Sequence, residues 1–363
     1  MTNSKTPVSR DVYVLGAGFT KAFLPDAPLL RDYYDTQQLA EKFERFPYSS
    51  RLIDLERNRL GDGRIDIERL LSRLDSKMPY DFERGVTTEL SLLRTAVLDM
   101  FNDRLNTAKQ GFQHRDDLLA FARHCVSAPI TCITFNYDDL LDQALWEVAG
   151  MDVVSESPYW HPDGGYGFYC RPSSILVEDS EGRVMDTTSM ELLKLHGSLN
   201  WRVRRGHLAP YTVDAIVHHE AWLPLEERPG QAGNEAIEDH LQSEPFMVPP
   251  VLAKTDLGEQ PILSLIWNKA FEALRKAQKI VFVGYSFPIT DFAADVLFTE
   301  TLEKTLLPPN NWLGNTWIVN FASSEAEKRN LRTAYRSRLG NIPADRFDFR
   351  GALEWSREIT PSQ

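Results

Sequence analysis

The segment VYVLGAG (Val12–Gly18) and three later segments of the same design decide the fold of this chain. Each is a short run of apolar residues that ends in small or polar ones, a pattern typical of a buried parallel strand and its C-terminal loop. The other three are ITFNYD (Ile133–Asp138), LLKLHGS (Leu192–Ser198) and IVFVGYS (Ile280–Ser286). Because ligands bind outside the carboxyl ends of the strands in an open α/β sheet, we expect the four tails to face one crevice.

Composition narrows the class of protein. The 363 residues are 42% hydrophobic and 25% charged, which is ordinary for a globular protein with a large core. A net charge of −12 argues against binding nucleic acid through a general basic field, and we expect no sequence-specific contact with nucleic acid. The N-terminal segment MTNSKTPVSR (Met1–Arg10) lacks the apolar stretch of a secretory signal, and no segment approaches the length of a membrane span. No Cys-x-x-Cys pair occurs, so we expect no structural zinc site. Together, these features predict a cytoplasmic protein without a metal centre and without a membrane partner.

The spacing of apolar residues predicts an α/β fold, a Rossmann-like parallel sheet with an inserted helical module. We expect one domain over residues 1–363, with the helical module at residues 29–125, between the first and second strands. Ile65 and Ile67 fit the helical spacing of that module. Residues 206–258 are predicted as an irregular insertion, and residues 259–363 as the rest of the core plus a C-terminal helical segment. The predicted strands are Asp11–Leu15, Ile130–Phe135, Leu192–Leu195, Ile280–Gly284 and Trp317–Phe321.

The glycines that follow two of the strands favour a phosphate site. Glycine lets backbone N–H groups approach a diphosphate without a Cβ clash, and Gly16-Ala17-Gly18 resembles the start of a dinucleotide-binding turn. The third glycine of the usual Gly-x-Gly-x-x-Gly pattern is replaced by Lys21, and a plain tight turn explains the first two equally well. Gly284-Tyr285-Ser286 repeats the design, with a turn and a helix cap as the alternative.

Polar residues at three other strand ends are candidates for chemistry. Asn136 and Asp138 could cap a helix, or the amide could hold a ribose hydroxyl or a water while the carboxylate orients its neighbour. His196 is the only histidine at a predicted sheet C-terminus, and imidazole can take a proton from water or a hydroxyl near neutral pH. A structural histidine is the alternative. Asn320 could cap a helix or hold a sugar hydroxyl.

The order of these motifs resembles the SIR2-like (sirtuin-related) domain. The motifs are GAGFT (Gly16–Thr20), TFNYD (Thr134–Asp138), KLHGS (Lys194–Ser198) and GYS (Gly284–Ser286) with Asp291. The resemblance spans about Asp11 to Asn320 and implies a Rossmann-like domain with NAD bound across the sheet ends.

The resemblance also implies a role for each tail. The first loop would cradle the diphosphate, Asn136 and Asp138 would flank the nicotinamide ribose, and His196 would be the catalytic base. Gly284 and Ser286 would hold phosphate and adenosine ribose, while aromatic residues wall the pocket. The implied NAD-binding residues are Gly16, Ala17, Gly18, Phe19, Thr20, Asn136, Gly284, Tyr285, Ser286 and Asn320, and the implied catalytic residues are Asn136, Asp138 and His196.

Two departures from deacylating sirtuins alter the expected reaction. The paired Cys-x-x-Cys of their zinc module is absent, and LPDAP (Leu24–Pro28) stands where they carry Gly-Ile-Pro-Asp-Phe-Arg. Both features resemble the bacterial SIR2-like branch, whose members commonly destroy NAD in anti-phage defence. We therefore predict an NAD+ hydrolase that uses NAD as substrate and needs no metal.

Alternatives to hydrolysis stay open. They are an NAD-dependent protein deacylase or ADP-ribosyltransferase, and a non-catalytic NAD- or nucleotide-binding subunit of a defence complex. The resemblance also implies a homo-oligomer, and a separately encoded defence partner such as an ATPase could join it.

Overall fold

A computed structural model of the chain shows an α/β fold with a six-stranded parallel sheet. The structure describes residues 11–29, 33–35, 37–60, 64–67, 69–70, 73, 87–128, 130–149, 160, 162–168, 190–204, 214–215, 243–248, 261–288, 291–304 and 313–360. The strands are β1 (Asp11–Leu15), β2 (Tyr33–Asp35), β3 (Arg64–Asp66), β4 (Ile130–Thr134), β5 (Glu191–Lys194), β6 (Gly197–Arg204), β7 (Asp214–Ala215), β8 (Ser243–Met247), β9 (Ile280–Val283), β10 (Thr316–Val319) and β11 (Phe347–Asp348). The α-helices are α1 (Ala17–Phe23), α2 (Gln37–Phe43), α3 (Pro47–Leu60), α4 (Thr87–Lys109), α5 (Arg115–Ser127), α6 (Leu140–Ala149), α7 (Pro162–Gly165), α8 (Pro261–Lys276), α9 (Phe292–Lys304), α10 (Glu325–Leu339) and α11 (Ala352–Ile359).

The large sheet has the strand order of a Rossmann fold. From edge to edge the strands are β11, β10, β9, β1, β4 and β5, and every neighbouring pair is parallel. Counted along the chain within this sheet, the order is 6-5-4-1-2-3, which is the Rossmann order 3-2-1-4-5-6 seen from the opposite edge. The predicted α/β class with a Rossmann-like parallel sheet is therefore confirmed. The strand order reverses between β1 and β9, where ligands of such sheets bind.

The apolar composition of the central strands accounts for their place in the sheet. Every residue of β4 and β9 is buried, as expected for parallel strands that are covered on both faces. The strands also end at one level, because Leu15 lies opposite both Thr134 and Val283. Lys194 lies opposite Thr134 and Val319 lies opposite Val283. The loops that follow five neighbouring strands therefore start side by side.

The segment between β1 and β4 contains strands that the sequence analysis missed. Within residues 29–125, the described part forms helices and an antiparallel pair of β2 with β3. Ile65, predicted on a helix, lies in β3 opposite Tyr34. The prediction was wrong there because the alternation in Arg-Ile-Asp-Ile fits the period of a strand as well as that of a helix. The remaining residues of 29–125 lie outside the part of the chain that the structure describes.

A small antiparallel sheet extends from the edge of the site. It has the order β7, β6, β8, and β6 begins at Gly197, directly after His196. Strands β7 and β8 lie inside residues 206–258, so the described part of the predicted irregular insertion contains regular structure. The remaining residues of that insertion, apart from Val248, lie outside the described part.

The C-terminal half largely follows the predicted elements. Helix α10 begins with a capping box in which the Ser324 side chain accepts from the Glu327 amide and the Glu327 carboxylate accepts from the Ser324 amide. Strand β11, the sixth strand of the large sheet along the chain, is two residues long and was not predicted. In the part of the chain that the structure describes, no helix is both long enough and apolar enough to cross a bilayer.

Candidate functional site

The loops after β1 and β9 pack directly against each other through their glycines. The Gly16 amide donates to the Val283 carbonyl at 3.0 Å, and the Gly18 amide donates to the Gly284 carbonyl at 2.9 Å. A Cβ on Gly16 would lie 2.5 Å from the Tyr285 Cα, and a Cβ on Gly284 would lie 2.2 Å from the Phe19 amide nitrogen. Close approach of two backbones therefore requires these glycines, whatever ligand binds beside them.

Gly284 is the glycine for which we expect the clearest effect of substitution. Its φ of +63° is a conformation that L residues rarely adopt, and an added Cβ would meet backbone atoms that cannot rotate away. Gly284→Ala should lower the free energy of unfolding by about 1–3 kcal/mol, measured by urea denaturation. The matched control is Gly111→Ala, where the nearest atom to an added Cβ is 4.0 Å away. Equal stability of the two variants would contradict the packing argument.

The rest of the first loop is divided between surface and core. Ala17 is exposed at the start of α1. Phe19 is buried and its ring packs against Phe23 and Phe121. Its amide donates to the Gly16 carbonyl at 2.9 Å. The amides of residues 16, 18 and 19 are thus engaged within the protein in this conformation.

Asn136, in the loop after β4, is held by hydrogen bonds to residues that follow β1. Its Nδ2 donates to the Gly16 carbonyl at 2.9 Å and to the Thr20 Oγ1 at 3.0 Å. The Thr20 hydroxyl in turn donates to the Asp138 Oδ2 at 2.7 Å. Both amide hydrogens of Asn136 are therefore used, and its Oδ1 has no partner among the described residues. Asn136 can thus present a hydrogen-bond acceptor to a ligand.

Asp138 combines a cap-like contact with a perturbed carboxyl group. Its Oδ1 accepts from the amide of Leu140, the first residue of α6, at 3.2 Å. Desolvation raises the pKa of the Asp138 carboxyl, and the charge of Lys194 and the Thr20 hydroxyl only partly offset this effect. A small cavity of about 10 Å³, close to the least that holds a water molecule, is lined by residues that include Thr20, Asn136 and Asp138.

Two buried lysines support the loop that carries Asn136 and Asp138. Lys194, at the end of β5, donates to the Asp138 carbonyl at 2.6 Å and forms an ion pair with Asp142 at 3.0 Å. Lys109, at the end of α4, pairs with Asp139. The sequence predicts no role for Lys109, Asp139 or Asp142, and Lys194 enters only as part of the KLHGS motif. A lysine inside an apolar strand was the available signal, because a buried lysine needs a partner.

His196 is buried at the end of the neighbouring strand. Its side chain is 6% exposed, and its Nε2 lies 3.5 Å from the Asp291 Oδ1. The rings of Phe135 and Tyr137 pack against the imidazole, with centroid distances of 5.2 and 5.8 Å. These rings belong to the residues on either side of Asn136 in the loop after β4. The Trp267 ring from α8 lies on another side of the imidazole, with 6.4 Å between the two ring centroids.

The predicted residues after β9 and β10 meet on the other side of the strand-order reversal. The Tyr285 carbonyl accepts from the Asn320 Nδ2 at 3.0 Å and from the Tyr335 hydroxyl. Tyr285 is buried, and its ring stacks on Phe135 at 5.0 Å. Ser286 is exposed. The side-chain amide of Asn320 therefore supports the turn at Tyr285 in this conformation.

These contacts place the predicted residues in two groups. Asn136, Asp138 and Thr20 form one hydrogen-bonded cluster with the Gly16 carbonyl, and His196 packs on the rings of Phe135 and Tyr137, the two residues next to Asn136 in the chain. Tyr285 links this group to Asn320. Among the described residues, no group of three or more His, Cys, Asp or Glu side chains is arranged to hold a metal ion.

Comparison of the sequence with models of known protein families finds no match. A search of curated proteins finds no significant relative either. The likeness to SIR2-like domains therefore rests on the motifs and their order alone.

Proposed function

We propose that the chain is an NAD+ hydrolase that cleaves the bond between nicotinamide and ribose and transfers the ADP-ribosyl group to water. The observation that carries the proposal is that Asn136 and His196 follow the neighbouring strands β4 and β5 at the carboxyl edge of a Rossmann-type sheet. Asn136 has an acceptor oxygen without a partner among the described residues, and His196 is a buried imidazole paired with a carboxylate. Such a pair suits the activation of water beside a sugar.

Asn136 would orient the reacting groups. Its Nδ2 is fixed by Gly16 and Thr20, so Oδ1 can accept a hydrogen bond from a water molecule or a ribose hydroxyl at a defined position. A fixed acceptor holds the attacking oxygen near the anomeric carbon, and such positioning lowers the entropic part of the barrier.

His196 would act as the general base. As the bond from the anomeric carbon to the nicotinamide nitrogen breaks, the bonding electrons return to the pyridinium ring and nicotinamide leaves neutral. The ribose then has oxocarbenium character, as in glycoside hydrolysis. Water oxygen bonds to the anomeric carbon, and its proton passes to neutral imidazole. Phe135, Tyr137 and Trp267 pack around that imidazole and limit the access of bulk water.

The diphosphate and adenosine would lie over the strand-order reversal. The net charge of −12 gives no general attraction to this anion, so local groups must hold it. Ala17 and Ser286 are exposed on the two loops that meet there and would be available to it. A role in anti-phage defence, a homo-oligomer and a partner such as an ATPase are proposed on the resemblance alone.

The test uses the purified full-length chain with NAD. We expect nicotinamide and ADP-ribose to appear in equal amounts, as followed by chromatography. Turnover that requires an acylated peptide or a protein acceptor would contradict hydrolysis and favour the deacylase or transferase. Absence of both turnover and NAD binding, measured by calorimetry on the folded chain, would contradict the proposal as a whole.

A further inference from the structure

We propose that Asp291 is the positioning residue for His196, fixing the orientation of its ring and the site of its proton. This inference rests on the proposed function, because it assigns a task to the pair only if His196 takes a proton from the attacking water. Asp291 was part of the GYS motif region in the sequence, but its own role was not predicted.

The geometry of the pair supports this role. The distance from His196 Nε2 to Asp291 Oδ1 is 3.5 Å, and each side chain is only 6% exposed. A carboxylate facing Nε2 favours the tautomer with its proton on that nitrogen, which leaves the lone pair on Nδ1.

The backbone and a tyrosine fix Asp291 in turn. Its amide donates to the Pro288 carbonyl at 3.0 Å, and its carbonyl accepts from the Asp295 amide at 3.2 Å in the first turn of α9. The Tyr285 hydroxyl donates to the Asp291 Oδ2 at 3.5 Å. Burial and the negative charge of Asp291 hold the pKa of Tyr285 well above its usual range, so Tyr285 stays protonated and can donate.

The charge of Asp291 has a predictable effect on the titration of His196. In the part of the chain that the structure describes, the titratable groups that contact His196 or Asp291 include Asp291 itself at the start of α9, Tyr285 after β9 and Tyr137 after β4. Of these, only Asp291 carries a negative charge near neutral pH. A negative neighbour stabilises imidazolium, so removing its charge should lower the pKa of His196.

The experiment replaces Asp291 by Asn, which keeps the shape and removes the charge. We expect kcat for NAD hydrolysis to fall about 10- to 100-fold, with KM nearly unchanged, because the residue acts through His196 rather than on the substrate. The acid limb of the kcat profile should move to lower pH, because neutral imidazole then persists to lower pH. Asp291→Glu, which restores the charge, should recover part of the activity.

A second measurement is independent of turnover. Titration of 13C-labelled histidines by NMR, with the His196 signal identified from a His196→Gln spectrum, should show a lower pKa for His196 in Asp291→Asn. The matched control is Asp117→Asn, because Asp117 lies 3.4 Å from the ring of His114 outside the site. That variant should leave the His196 signal and kcat unchanged.

The two measurements separate the two proposals. An unshifted His196 pKa in folded Asp291→Asn would overturn the role of Asp291, even if NAD is hydrolysed. A shifted pKa with a kcat equal to that of the wild type would overturn it as well. If the wild type binds NAD but does not cleave it, the hydrolase proposal fails, and the NMR result alone then decides whether Asp291 sets the state of His196.

Discussion

His196→Ala is expected to reduce the rate of NAD hydrolysis by about 100- to 10,000-fold, the range that a general base contributes to proton transfer. The variant removes the only group that we assign to accept the proton of the attacking water. It leaves Asn136 and its hydrogen bonds to Gly16 and Thr20 in place, so NAD should still bind. The measurement is kcat from release of nicotinamide, together with the dissociation constant for NAD from calorimetry.

Two controls keep this result interpretable. His196 packs against aromatic rings, so its removal leaves a cavity, and His196→Gln retains more of the volume without supplying a base. His114→Ala changes a histidine at the start of α5, away from the site, and should leave kcat unaltered. Full turnover by folded His196→Gln would remove His196 from the mechanism.

The sheet could be predicted from the sequence because its central strands are short, apolar and buried on both faces. The strands ending at Leu15, Thr134 and Val283 all have this character, and each is followed by small or polar residues. Strand β11 and the pair of β2 with β3 have two or three residues each, so they contain too little sequence for a period to be recognised. Their pairing depends on tertiary contacts instead.

The contacts of the candidate site could be predicted only in part, because its residues lie far apart along the chain. The hydrogen bonds of Asn136 to Gly16 and Thr20 join residues 120 and 116 positions apart, which no local pattern contains. The strand ends nevertheless predict that Asn136 and His196 lie at one edge of the sheet, because parallel strands bring their carboxyl ends together there. The pairing of His196 with Asp291 and the support from Lys109 required the structure.

The glycines show that two physical requirements can favour the same residue. Gly16 and Gly284 follow strands in the sequence, where a phosphate site and a tight turn both favour glycine. In the structure, the backbone that approaches Gly16 belongs to the loop after β9. Both requirements favour glycine, so the presence of glycine alone does not identify a phosphate site.

The ion pair beneath the loop that carries Asn136 and Asp138 is buried, and neither charge can lose its partner without cost. Lys194 is fully buried, and the Asp142 side chain is 2% exposed. The Tyr166 hydroxyl also donates to Asp142, and Lys194 also donates to the Asp138 carbonyl. Loss of one partner from such a pair leaves the other charge buried without compensation.

Lys194→Met is therefore expected to lower the free energy of unfolding by about 3–5 kcal/mol, as measured by urea denaturation. Methionine fills most of the lysine volume, so the loss would come from the uncompensated Asp142 and the unpaired Asp138 carbonyl rather than from a cavity. The double variant Lys194→Met/Asp142→Leu removes both charges and should recover much of the loss. The control is Lys269→Met, whose pair with Glu191 is 39% and 24% exposed and should change stability by less than about 1 kcal/mol. If Lys194→Met and Lys269→Met prove equally stable, the buried pair does not hold the loop that carries Asn136 and Asp138.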